Sequence, residues 1–432
     1  MAATAARRAV IVAGARTPFL RAFTDFTRMD SIALADAAVG GLLSRVDLPK
    51  ELVQAVVWGG VVLPSGAPNL AREIAIDLDL GVDSGCEGYT VTRACASGLQ
   101  AVTAAAAAIE RGEYDVMIAG GSDSTSNAEV KLPQKVVHAG APLALGKPKT
   151  KDYLSAIAQL APFTDLLPTR PKIAERTTGE VMGESAEKMA RIHGITRAAQ
   201  DEFAVRSHHR AAAAAASGRF DREVLEVVTP EGVSITADGL VRPQTSVEKL
   251  AGLPPVFAAD GTVTAGNSSP LTDGAAAVLI MSEERARDLG FVPLAAFRSW
   301  SYISVDPADQ VLIGPAVAMP RALDKAGLSL SDIDLVDIHE AFAAQTLSVL
   351  SALASDEWAQ AKLGRDTAVG EIDPAILNVH GGSVALGHPF AATGARMVAT
   401  MANELAITGK STALLGICAA GGIGAAAVLE SI

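Results

Sequence analysis

Twice along the chain, a short apolar strand leads through a small-residue turn into an alanine- and glycine-rich helix and then into another buried strand. In the first 125 residues, apolar runs at 10–13 and 55–61 flank a helix expected over 31–43. The stretch VTRACASGLQAVTAAAAAIERG then sets Cys95 at the end of a turn over 91–94 and opens a second helix. YDVMIAGGSDS closes this unit as a buried strand. The C-terminal part repeats the grammar. A strand at 335–338 precedes His339, Glu340 and a helix beginning near Ala341. Residues 378–409 pass from a Gly-rich turn into a helix, 412–418 form a strand ending in AAGGIG, and 425–430 form a closing strand. This order is that of βαβ units, so the class is α/β with two related halves.

Between the halves, residues 130–176 break the pattern. They are rich in Pro and Lys with apolar clusters such as LSAIAQLAPFTDLLP, and read as a loop domain or lid rather than sheet. Residues 182–216 read as helical, with a six-alanine run, whereas 221–265 fit either a hairpin or a plain connection.

Composition narrows the function. A chain of 432 residues has room for two or three domains, or for one large pseudo-symmetric one. With 49% hydrophobic and 19% charged residues it is well cored, and with 4% aromatics it suits close helix packing. A net charge of −12 excludes general nucleic-acid binding. Three cysteines (Cys86, Cys95, Cys418) without a CxxC pair exclude a disulfide framework and a Cys-rich zinc site, so a cytoplasmic location is expected. Neither a signal peptide, a transmembrane segment, a lipidation signal nor a peroxisomal tripeptide is expected.

Four cysteine and histidine neighbourhoods carry chemistry. Cys95 sits at a helix N-terminus, whose dipole is expected to favour thiolate, although an inert buried thiol fits the same position. His388, in NVHGGSVALGHPFAATGAR, is held at a loop–helix junction by Gly381, Gly382, Gly387 and Pro389, a good place for a base; a histidine that merely satisfies local backbone groups fits too. These glycines fit neither a Walker nor a Rossmann spacing. Cys418 ends a strand before a Gly-rich turn and can carry protons if its pKa is lowered. His339 begins HEAFA, which lacks the second histidine of HExxH because position 343 is Ala, so no metal is expected and a donor to a developing oxyanion is the competing role.

Taken in order, CASG, HEAF, GHPxxxTG and CxxGGxG resemble the thiolase family, with support from Arg16-Thr17-Pro18, MGESAEKMA, RPQT and TAGNSSPLTDGAA. Most members resemble one another in having Asn where this chain has His339, and often Asn where it has His380. HEAF, GHPFAATGAR and the long insert look more like the thiolase subunit of trifunctional β-oxidation complexes.

The resemblance implies a five-layer αβαβα sandwich of two related halves with an inserted loop domain over the active site. The boundaries it suggests are 1–128 and 256–290 for the N-terminal half, 129–255 for the insert and 291–432 for the C-terminal half. It also implies a ping-pong reaction in which Cys95 takes the acyl group of a 3-oxoacyl-CoA, His388 helps form the thiolate and Cys418 handles the α-proton of acetyl-CoA. His388 and a water near His339 would face the enolate oxygen, and the N–H groups of Cys95 and Ala420 would form a second oxyanion hole. Ser269 would meet pantetheine, Met182 would line the acyl entrance and Arg242 would approach the adenosine phosphate; packing or a solvated surface position accounts for each equally. CoA is a substrate, with no further cofactor. A homodimer or homotetramer is implied, with a hydratase–dehydrogenase α-chain as a possible partner; the insert permits peripheral membrane contact, with acyl-pocket cover the favoured role. The alternatives are a biosynthetic acetoacetyl-CoA thiolase, a decarboxylating ketosynthase, against which Cys418 argues, and a non-catalytic acyl-CoA-binding subunit.

Overall fold

The computed structural model describes residues 7–81, 85–164, 166–169 and 174–432. The expectations for the N-terminal leader, and for residues 165 and 170–173 of the insert, fall outside these. The chain divides into two compact units, Met1–Asn127 with Ala174–Ile432, and Ala128–Ile173.

In the larger unit the first half contributes strands β1 (Ala9–Arg16), β2 (Ala55–Gly59), β3 (Glu87–Val91), β4 (Val116–Ser124) and β5 (Thr272–Ser282). Its helices are α1 (Ser31–Val46), α2 (Leu70–Asp77) and α3 (Ser97–Glu110). The second half contributes β6 (Ala295–Ser304), β7 (Leu335–Ile338), β8 (Thr412–Ala419) and β9 (Ile423–Glu430), with helices α4 (Pro315–Ala326), α5 (Ala343–Leu353) and α6 (Phe390–Thr408).

The two halves share one topology. The first runs β1-β5-β4-β2-β3 across the sheet and the second β6-β9-β8-β7, extended by a parallel bridge from Val336 to Leu377. Pairing senses match step for step: antiparallel, antiparallel, then parallel. The halves join where β1 meets β6 antiparallel, Val10 opposite Ala296 and Ile11 opposite Ala295. The duplication expected from the repeated grammar is therefore visible in strand order.

Three apolar cores make the five layers. Because side chains alternate across a strand, Met117 and Ala119 of β4 face the central layer of α3 and α6, while Val116 and Ile118 face α1 and α2. On β8, Leu415 and Ile417 face the same central layer, while Leu414 and Cys418 face α4 and α5. Strands buried on both faces read as continuous apolar runs, as these do. At the centre α3 and α6 meet glycine to backbone. A Cβ on Gly98 would lie 2.2 Å from the Ala391 carbonyl, and one on Gly394 would lie 2.4 Å from the Leu99 nitrogen.

Several expectations need adjustment. The strand read at 55–61 stops at Gly59, and the helix placed near Ala341 starts at Ala343. The 182–216 helix is two, Met182–Ile192 and Arg197–Ala216, parted by a turn in which Gly194 has φ +63°. The 221–265 segment holds a small hairpin, Val227–Val228 with Ser234–Ile235, and the short helix Val247–Ala251. The segment read as a lid without sheet is in fact helical over Gln134–Leu145 and Thr150–Leu160.

Candidate active site

Cys95 lies two residues before α3, after Ala94, whose φ of +46° is strained for a residue with a Cβ. That turn brings the half-buried Cys95 to His339 and His388 of the other half. The backbone N–H groups of Ala420 and of Cys95 itself favour its thiolate. The thiolate expected from the helix position is not the resting form. Burial pushes the Cys95 thiol up to about 12, the two N–H donors pull against this, and the Asp123 charge adds to the rise. Desolvation outweighs the helix dipole here.

His388 stands just before α6, and its buried ring is fixed at one end by Thr393 Oγ1, 2.6 Å from Nδ1. Thr393 follows five residues later in the first turn of α6, a spacing visible in HPFAAT but not singled out from sequence. The His388 backbone N–H donates to Thr272 Oγ1 at 3.0 Å. Burial, then the Arg396 charge, lowers His388 to about 3, so the ring is neutral at physiological pH. His339, wholly buried at the end of β7, has Nδ1 2.9 Å from Ser383 Oγ. Burial, then His388 and Arg396, holds it well below the usual imidazole range.

The two rings lie 4.1 Å apart between centroids, tilted by 45°. Ligand atoms of Cys95, His339 and His388 lie within 4.8 Å of one another. Nε2 of each histidine is buried with no hydrogen-bond partner. Cys418, 1% exposed, is near enough to Cys95 for that thiol's charge to raise it further, after burial. Two neutral imidazoles and the protonated Cys95 thiol thus share a desolvated space, with the protonated Cys418 thiol close to Cys95.

Sequence reasoning missed the supports. Glu340 accepts hydrogen bonds from Asn378 Nδ2 (2.7 Å), Ser207 Oγ (2.7 Å) and the Val384 N–H (3.1 Å), tying the glycine-rich loop to β7. Asp123, at the end of β4, accepts the N–H groups of Val61, Val62 and Ala391, the last in the first turn of α6. Burial is the main reason that its carboxyl rises to about 7. Each half therefore places one reactive residue ahead of its own central helix and meets the other half's residue with a strand end: Ala420 beneath Cys95, and Asp123 beneath the His388 helix.

His380, singled out as a departure, bonds to Glu404 Oε2 at 2.6 Å. Of the residues expected to meet CoA, Ser269 donates to the Ala341 carbonyl at 2.9 Å, Met182 is half-buried against the α4–α5 core, and Arg242 is exposed.

The thiolase N-terminal domain matches residues 9–284 and the thiolase C-terminal domain residues 291–431. The chain is 44% identical over 426 residues to a 3-ketoacyl-CoA thiolase of Cronobacter sakazakii, covering 98% of this chain and 97% of that protein. To the 3-ketoacyl-CoA thiolase of Escherichia coli K12 it is 43% identical with the same coverage. Its fold is similar to that of human mitochondrial 3-ketoacyl-CoA thiolase, with a TM-score of 0.84 at 32% identity over 99% of this chain and 100% of that one. It is likewise similar to a Bacillus anthracis acetyl-CoA acetyltransferase, with a TM-score of 0.83 at 32% identity over 99% of each chain. Two matched domains meeting at one shared cysteine–histidine site mark the chain as a member of the thiolase family of acyltransferases.

Proposed function

We propose that this chain is a 3-ketoacyl-CoA thiolase of fatty-acid β-oxidation, cleaving 3-oxoacyl-CoA with CoA to acetyl-CoA and a shortened acyl-CoA. The observation that carries this reading is the convergence of Cys95 with the unpartnered Nε2 atoms of His339 and His388. A thiol near 12 cannot attack unaided, and a neutral imidazole with a free lone pair is the acceptor it needs.

Cys95 Sγ attacks the 3-keto carbon as its proton passes to His388 Nε2. The new oxyanion accepts the N–H groups of Cys95 and Ala420, each worth about 10²–10³ in rate. The C2–C3 bond then breaks, leaving the acyl group on Cys95 and an acetyl-CoA enolate whose oxygen faces His388 and a water at His339. Cys418 protonates C2. The incoming CoA thiol gives its proton to the Cys418 thiolate and attacks the acyl-enzyme; as Cys95 leaves, His388 returns its proton. CoA is a substrate and no further cofactor enters. Ser269 beside pantetheine, Met182 at the acyl entrance and Arg242 near the adenosine phosphate belong to the same proposal. So do a cytoplasmic homodimer or homotetramer, a hydratase–dehydrogenase partner chain, and a division at 1–128, 129–255, 256–290 and 291–432. Among the described residues no helix is long and apolar enough to cross a membrane.

Likeness to the Bacillus anthracis acetyl-CoA acetyltransferase favours one second reading, a biosynthetic acetoacetyl-CoA thiolase. CoA-dependent thiolysis by the purified chain, from acetoacetyl-CoA to 3-oxohexadecanoyl-CoA, separates the two. A rise with chain length supports degradation, and activity confined to acetoacetyl-CoA supports the second reading. Turnover unchanged in Cys95→Ala would remove both.

A further inference from the structure

The three side chains that serve acyl transfer also form a donor set for a metal. Among the described residues, no other group of three His, Cys, Asp or Glu side chains has its ligand atoms so close together. Each imidazole has its Nδ1 against a hydroxyl, Ser383 for His339 and Thr393 for His388. That is the outer contact which orients a ligating histidine and leaves the Nε2 lone pair for a cation. Both Nε2 atoms are buried without a partner, and each ring brings a nitrogen within 4.8 Å of the Cys95 sulfur. Neutral imidazole and thiolate are the forms that bind metal.

Size fits as well. A tetrahedral Zn²⁺ lies about 2.0–2.1 Å from nitrogen and 2.3 Å from sulfur, which sets donor separations of about 3.3–3.6 Å. The present ligand atoms lie within 4.8 Å of one another, so binding would draw them closer by up to about 1.5 Å.

We propose that Cys95, His339 and His388 form an inhibitory site for a thiophilic divalent cation, bound through one thiolate sulfur and two imidazole Nε2 atoms. Binding is an exchange without redox change. The Cys95 S–H proton goes to solvent, and the aqua cation sheds all but one of its waters as the thiolate sulfur and the two imidazole nitrogens take their places. Three protein ligands leave a fourth position for water. The metal takes the sulfur lone pair and the His388 lone pair, so cation and substrate exclude each other. The inhibition rests on the function proposed above; the binding does not.

The test uses the full chain with Zn²⁺ alone, measured by competition against a chromophoric chelator, and with Co²⁺ as an optical probe. The expected results are about one zinc per chain and a sulfur-to-cobalt charge-transfer band. Thiolysis should fall in proportion to occupancy, return with EDTA and be protected by saturating acyl-CoA. Cys95→Ser and His388→Ala should each weaken binding about 100-fold or more, and His339→Asn about tenfold. Cys86→Ser should leave binding as it was. Zinc binding unchanged in Cys95→Ser and His388→Ala, or a cobalt spectrum without sulfur ligation, overturns the site. Active enzyme indifferent to zinc overturns it too. A chain that binds zinc through Cys95 yet performs no thiolysis leaves the metal site standing and removes the proposed function instead.

Discussion

His339 Nδ1 lies 2.9 Å from Ser383 Oγ, and the next residue, Glu340, accepts the N–H of Val384, the residue after Ser383. Two consecutive residues at the end of one strand thus clasp two consecutive residues of the loop that leads to His388. Ser383 has no other side-chain role in this contact set, so Ser383→Ala releases the His339 ring while Glu340 keeps the loop in place. We expect kcat to fall about tenfold, the weight of one hydrogen bond near 1.4 kcal/mol, with KM within about twofold. Steady-state thiolysis decides this; a change in KM alone would mean that Ser383 shapes the substrate path instead.

Resting Cys95 is a thiol. Burial lifts it from 9.0 to about 12, so the thiolate fraction grows about tenfold per pH unit throughout the range below that value. Inactivation of the free enzyme by iodoacetamide should therefore rise with a log-rate slope near one from about pH 7 to 10, without a plateau. A plateau near neutrality would reveal a preformed thiolate–imidazolium pair and count against proton transfer during attack.

A buried ion pair stands behind both imidazoles. Arg396 Nη1 meets Asp337 Oδ2 at 3.0 Å, with both side chains almost fully enclosed, while Arg396 Nε and Nη2 and Asp337 Oδ1 have no partner. Removing one member strands the other's charge. Arg396→Met should cost about 3–5 kcal/mol in denaturant unfolding, and the double variant with Asp337→Leu should recover most of it. The same arginine is the second cause, after burial, of the low His388 pKa. Its loss should move that pKa upward, as histidine NMR titration can follow, while burial still holds it below 6.5.

The residues proposed to react were legible because chemistry confines them to few residue types at punctuated positions. Cys95 in CASG, His388 in GHP and Cys418 before GGIG each stand at a strand or loop junction, and the structure brings Cys95 and His388 together with His339. Strand β5 was not read as such, because TDGAAAVLIMS buries both faces and shows neither a two-residue nor a helical period. The supporting groups were hidden for another reason. Ser383, Glu340 and Asp123 act through neighbours remote in sequence, so no local pattern distinguishes them from ordinary polar residues. The resting state of Cys95 was hidden too, since helix position is written in the sequence and burial is not.

The α3–α6 crossing makes the strictest demand on residue size. Gly98 is the second residue of α3 and Gly394 the fifth of α6, and each faces the other helix's backbone, not a side chain that could turn aside. In Gly98→Ala the new methyl would stand 2.2 Å from the Ala391 carbonyl and 2.9 Å from the Ala395 nitrogen, so the helices must separate. Overpacking of this kind costs about 1–3 kcal/mol, and more where only backbone can yield. The displacement also reaches the chemistry, because Cys95 and His388 lie just ahead of these two helices. We expect Gly98→Ala and Gly394→Ala each to lower Tm and to reduce kcat by about 10²-fold, the sensitivity of a reacting pair moved by about 1 Å. Either variant folding with unchanged kcat would show that the two helices can part without moving the site.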